Sequence, residues 1–127
     1  MSRRGLGVIE LLIIVLALGL LAAVGSGELA NWRERELARA MRSDLLRFAA
    51  AQESYYYDRR VYAADPAALQ ATGFTPSAGV RVQVNEATLA GWSATATHTD
   101  THIRCFLFVR TAAPVGSATV AGTVHCS

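Results

Sequence analysis

The chain has 127 residues and no lysine; all twelve of its basic side chains are arginine. It therefore lacks the phosphate-gripping lysine of a P-loop and the amine that Schiff-base chemistry needs. Carboxylates run out towards the C-terminus. After Glu86 the only one is Asp100, which leaves too few oxygen ligands for a calcium site. Proline occurs three times, and not before Pro66. The formal charge is only +2, so nothing in the balance marks a nucleic-acid binder. No nucleophile, base and orienting group stand together in a recognisable catalytic context. The reading is a protein without enzymatic activity and without a cofactor.

What the chain does have is concentrated at its start. Arg3-Arg4 precede Gly5, and Glu10 stands five residues after that glycine. Leu11–Val24 then follows as fourteen residues without another polar side chain. As a helix, the 19 residues 6–24 span about 28 Å, close to the roughly 30 Å of a bilayer's hydrocarbon core. A lone acid is unfavourable in such a segment, by roughly 2.5–3.5 kcal/mol at the centre of a span and less near its end. Glu10 therefore calls for a cationic partner.

That order of residues resembles the N-terminus of the type IV pilin family, which includes the pseudopilins of type II secretion. The resemblance implies removal of a leader, residues 1–5, by a prepilin peptidase that cuts between Gly5 and Leu6. It implies N-methylation of Leu6. It also makes Glu10 the fifth mature residue, whose carboxylate pairs with the terminus of an adjacent subunit and sets register in a helical filament. The implied partners are further copies of the chain, the prepilin peptidase, an inner-membrane assembly platform and an assembly ATPase. The implied location is the inner membrane before assembly, as a single-pass protein, and the cell surface afterwards. Adhesion, motility or DNA uptake would be the downstream roles. A minor pilin or a type II secretion pseudopilin is the alternative within the family. After cleavage ten arginines face ten acids, so the mature side chains sum to zero. Two positions depart from the family pattern: Leu6 stands where Phe is usual, and Gly7 where a small hydroxyl residue is usual. The acidic, calcium-binding C-terminal loop of major pseudopilins has no counterpart here.

The same residues allow a second reading. Arg3-Arg4 also fit a charged n-region, Leu11–Leu21 an apolar h-region, and Val24-Gly25-Ser26 or Gly25-Ser26-Gly27 a small-residue cleavage site. That would release a soluble binding module starting near Gly27 or Glu28. Glu10 is out of place at the entrance of such an h-region.

The fold class expected is α+β: one long N-terminal helix, residues 6–57, packed on a C-terminal antiparallel sheet of about four strands. The helix joins an anchor, 6–24, to an amphipathic half across 25–27. Gly25 and Gly27 each cost about 1 kcal/mol relative to alanine in a helix and form a candidate soft point, where the family often has proline. Over Glu28–Tyr57, Leu37, Met41, Leu45, Phe48, Gln52 and Tyr55 recur at helical spacing. Only Gln52 breaks that stripe. Arg33, Glu34, Arg35, Glu36, Arg39, Arg42, Asp44 and Arg47 fill the other faces and read as a solvated surface. Tyr55-Tyr56-Tyr57 and Tyr62 read as packing at the helix exit.

Residues 58–79 form the connection. Asp65 is an N-cap, Pro66 the first helical position, and Gly73 the stop. The string from Tyr62 through Gly73-Phe74-Thr75-Pro76-Ser77 to Val80 resembles the αβ-loop of small bacterial pilins, and Gly91–His98 resembles their sheet sequence. Residues 80–127 alternate as strands. Val80, Val82 and Val84 share one face; Trp92, Ala94 and Ala96 another, opposite Ser93, Thr95 and Thr97. Ile103–Val109 reads as a central strand, and Thr119–His125 as the last. A turn centred between Val115 and Gly116 pairs residues whose numbers sum to 231, which sets Cys105 opposite Cys126 and Leu107 opposite Val124. Such opposed residues lie within disulfide reach, and an exported chain with only two cysteines joins them.

Three smaller groups carry side chains that could bind something. His98, Asp100 and His102 bring ligand-type side chains within five residues, but no cysteine joins them and a turn tip does not converge them. They read as an exposed polar loop, and no metal is expected. His125 reads as exposed. Arg81, Arg104 and Arg110 form a nucleic-acid patch only if the sheet presents them together. Edman sequencing of the mature protein separates the two N-terminal readings: a start at Leu6 is expected, and a start at Gly27 or Glu28 supports the secreted module.

Overall fold

The structure, a computed structural model, describes residues 7–127, with the side chains of 21–28 outside the description. The expected leader, the expected cleavage between Gly5 and Leu6, the expected methylation of Leu6 and the side-chain surroundings of Gly25 and Gly27 fall outside the described residues. The fold is α+β. Helix α1 runs Val8–Arg59, a 3₁₀ helix Pro66–Thr72, and four strands follow: β1 Val80–Ala87, β2 Gly91–His98, β3 Cys105–Arg110 and β4 His125–Cys126. The strands form one antiparallel sheet in the order β1-β2-β3-β4. The chain divides into two compact units, Met1–Arg33 and Glu34–Ser127.

In the second unit the helix and the sheet share one core. Met41, Leu45 and Phe48 of α1 are fully buried, with Trp92, Ala94 and Ala96 of β2 and Leu107 of β3. Phe48 is its hub, meeting the ring of Phe74 edge-on at 5.3 Å and that of Trp92 at 5.2 Å. Aromatic pairs in this arrangement add about 0.5–1.5 kcal/mol beyond area burial.

Two polar residues of α1 are also fully buried, Asp44 and Gln52. Gln52 breaks the apolar stripe because it holds the connection: its Nε2 donates to the Ala63 carbonyl at 2.9 Å and its Oε1 accepts from the Ala63 amide at 2.8 Å. Asp44 corrects the expectation of a solvated face. Its Oδ2 accepts from the Ser77 amide at 2.8 Å and its Oδ1 from the Ser77 hydroxyl at 2.9 Å, and Arg47 pairs with it from the surface. A buried carboxylate is tolerated only when hydrogen-bonded and paired in this way. The two side chains, eight residues apart on one helix, tie down both ends of 58–79.

Local signals set the connection itself. Asp65 caps the 3₁₀ helix, accepting from the Ala67 amide at 3.0 Å, and Gly73 closes it at φ 87°. Helix α1 ends two residues later than expected. Arg60 follows at φ 60°, in the left-handed conformation that usually falls to glycine.

The sheet agrees with the expected alternation on its helix-facing side. A bulge at Asn85 shifts the register of β1 between Val84 and Glu86. On the other side Ser93 and Thr95 are buried, whereas alternation alone placed them opposite the core. Phe106 pairs with Thr95 and Phe108 with Ser93, and these rings form a second small core with Ala112 and Ala118. The chain after β3 therefore crosses the back of the sheet rather than returning as a long strand. Gly122 donates to the Phe108 carbonyl at 2.8 Å on the way. Gly116 lies against Phe106 so closely that a Cβ there would stand 2.4 Å from the ring. Strand β4 is cut to two residues, and the expected strand Thr119–His125 and the Leu107–Val124 pair do not form. The register sum nevertheless holds where β4 exists: Cys105 pairs with Cys126 and Phe106 with His125. Cys105 and Cys126 are joined as a disulfide across 21 residues, worth about 3 kcal/mol in the chain-entropy model.

Asp44→Ala strands the Ser77 amide and hydroxyl and leaves Arg47 alone. The expected loss is about 3 kcal/mol, read as a lower urea midpoint by tryptophan fluorescence of the full chain in detergent. Asp58→Ala, at an exposed carboxylate, should stay within about 0.5 kcal/mol of the parent.

Candidate functional site

At the start of α1, Gly7 lies just outside the helix, and its carbonyl accepts the first helical bond, from the Leu11 amide at 3.0 Å. Glu10 sits three residues on. Its Oε2 reaches back to accept from the Gly7 amide at 3.1 Å. This is half of a capping box: a carboxylate at the third helical position satisfies an amide left without a partner at the helix end. The negative charge also lies at the positive end of the helix dipole. Glu10 is exposed, so its second oxygen and its charge remain open to a further group.

From Leu11 to Leu20 the helix presents no polar face. Every residue from Gly7 to Leu20 is exposed. Ten large apolar side chains among them are between 42% and 76% exposed, from Ile14 to Val8. They point in all directions around the axis, so this segment has no side suited to water. Monomeric soluble proteins rarely expose contiguous apolar patches beyond a few hundred Å². Covering these side chains is worth on the order of 10 kcal/mol, comparable with the roughly 4–15 kcal/mol that association costs in lost freedom. Among the described residues no helix is long and apolar enough to cross a membrane; the expected anchor, 6–24, extends beyond the described side chains at both ends.

The clefts of the second unit offer little chemistry. The one bordered by Pro66, Phe74, Pro76 and Val80 holds about 250 Å³. Arg81 is the only ionisable side chain in its lining, so it contains no acid–base pair. Among the described residues no three of His, Cys, Asp and Glu are grouped to hold a metal. His98 uses its Nδ1 to accept from the Asp100 amide at 3.0 Å, and His102 is exposed. His125 is exposed, with its Nδ1 2.8 Å from the Ser117 hydroxyl oxygen. The three arginines of the candidate patch separate. Arg81 pairs with Thr97, and Arg104 precedes Cys105, which pairs with Ala96 at that same end of β2; Arg110 pairs with Gly91 at the other.

The tyrosines divide as well. Tyr56 and Tyr62 stack at 4.6 Å, with Arg110 over both rings, while Tyr57 is 78% exposed. Burial pushes the Tyr62 phenol above its ordinary value of 10.0, and the neighbouring Glu53 charge adds to the rise. Asp44 and Arg110 were singled out in the sequence for other roles, a solvated face and an arginine patch; the tie to Ser77 and the place over the tyrosine rings carried no local signal.

Compared with known proteins, the chain matches no family model and no curated protein.

A raised tyrosine pKa favours the neutral phenol in the folded state. Its contribution to stability is present below the unfolded value near 10 and is lost as pH rises through the higher folded value. Ultraviolet titration should show one of the four tyrosines ionising late, and Tyr62→Phe should remove that late step and its share of the alkaline loss of stability.

Proposed function

We propose that the chain is a structural subunit of a type IV pilus-like filament, whose activity is polymerisation through the apolar start of α1 rather than chemistry in a pocket. The observation that carries this reading is the segment Gly7–Leu20, exposed on every face and bearing one carboxylate at its first turn. Such a surface needs a partner as apolar as itself. Lipid serves before assembly, and the same segment of other copies serves afterwards. On this reading prepilin peptidase cuts between Gly5 and Leu6, and the new amino terminus of one copy meets Glu10 of another. The carboxylate is already ordered by the Gly7 amide, so less freedom is lost on pairing. The disulfide-closed unit Glu34–Ser127 then forms the displayed surface, and adhesion, motility or DNA uptake would follow from it.

The test is assembly by Glu10→Gln and Glu10→Val chains. Gln keeps an oxygen for the Gly7 amide and loses the charge; Val loses both. The sheared surface fraction should fall at least tenfold for both variants. Normal yield from either would show that a charged pair is not required. The abundance of the parent chain in that fraction distinguishes a bulk subunit, as a dominant band, from a minor one, as a trace.

A further inference from the structure

The outer face of α1 within the second unit carries a stripe that the core does not use. Taken at 3.6 residues per turn, Arg35, Arg39 and Arg42 align with Leu46 and Ala50, and then with Glu53 and Tyr57. All lie within about 40° of the Leu46 direction, on the side of the helix away from Met41, Leu45 and Phe48. All are exposed: the Arg39 side chain 71%, Leu46 53%, the Glu53 side chain 52% and Tyr57 78%. The stripe is polarised. Its first third is basic, its middle apolar, and its end acidic and aromatic.

The spacing repeats after eleven residues, because the steps are four, three and four and then the same again. Eleven residues is close to three whole turns, so a copy shifted by about 16.5 Å presents the same face. We infer that parallel copies of this chain pack along this stripe with that shift, residues 35–46 of one copy lying beside residues 46–57 of the next. This rests on the filament reading, which makes the copies parallel. Each stripe position then meets a fitting one. Arg42 meets Glu53, Leu46 meets Tyr57, and the stems of Arg35 and Arg39 lie along Leu46 and Ala50. Unshifted parallel copies would set three arginines against three arginines and Glu53 against Glu53, a repulsive arrangement. The contact joins two different patches of the same stripe, so it is heterologous rather than isologous. Present partners are loose and exchangeable: Glu36 on Arg39 at 2.8 Å, Arg110 on Glu53 at 3.8 Å, the Tyr62 hydroxyl on Glu53 at 3.4 Å, and the Cys126 sulfur near Arg42 at 4.0 Å.

The experiment is assembly of full chains carrying Arg42→Glu or Glu53→Arg, alone and mixed. Alone, each variant sets like charges together at every contact, and the polymer yield should fall at least tenfold. Mixed in equal amounts, position 42 of each variant carries the charge opposite to that at position 53 of the other, so yield should return to within twofold of the parent. A misfolded variant is not rescued in this way. If the parent polymerises and either variant alone does so normally, or the mixture stays low, the stripe contact is wrong while the filament reading stands. Sensitivity to Arg39→Glu but not Arg42→Glu would indicate an antiparallel closed pair and also overturn it. If the parent forms no polymer, both fall together.

Discussion

The dominant physical constraint on the first part of this molecule is an apolar helical surface that stands exposed over residues 8–20. The side chains of Val8–Leu20 have no side of the helix on which to hide. Water penalises them in proportion to area, whichever way the helix turns. On the filament reading proposed above, lipid or other copies of the same segment would remove that penalty, and the difference between them is small because hydrocarbon and leucine are alike. A subunit built on this surface can pass from one setting to the other at little cost, provided that a polar contact decides where it stops. Glu10 is suited to that. It is the sole acid in the segment, it is held in place by the Gly7 amide, and an isolated charge among apolar side chains is strongly selective about what it accepts.

The second unit solves a different problem, that of presenting a defined surface from a small amount of core. Its apolar interior is supplemented by three specific ties. Asp44 holds Ser77, Gln52 holds Ala63 through both backbone groups, and the disulfide fixes the C-terminal strand to β3. Each removes freedom from a stretch that lacks regular structure. The rear of the sheet is closed by a crossing segment, against Phe106 and Phe108. Two layers of packing on one four-stranded sheet give the unit a core on both faces. The exposed charges along the outer stripe of α1 stay outside both cores, where neighbours can meet them.

Periodicity alone made the larger elements legible. Leu37, Met41, Leu45, Phe48, Gln52 and Tyr55 mark the buried face of α1, and the Asp65-Pro66 to Gly73 signals mark the 3₁₀ helix because capping and backbone restrictions are local. The cysteine register was legible because a hairpin sum and a disulfide impose the same constraint. What was hidden depended on contacts between distant residues. Asp44 looks like any helix-surface acid until Ser77, 33 residues on, is folded against it. Ser93 and Thr95 alternate like a wet face, and only the crossing of 111–124 dries them. The shortened β4 has the same cause, since two phenylalanine rings on the rear face gain more from cover than the chain gains from extending a ladder. At Arg60 a left-handed residue closes the helix without glycine, so no local signal existed. The N-terminal motif was legible as a resemblance, while the capping of Gly7 by Glu10 required coordinates.

The central claim is that copies of one segment cover one another. A photoreactive residue in place of Leu12, in detergent-free filaments, reports directly what touches that surface. The account predicts cross-linked products joining residues 8–20 of one chain to residues 8–20 of another, with little lipid adduct. Products confined to lipid, or joined to residues 34–127 of the same chain, would contradict it.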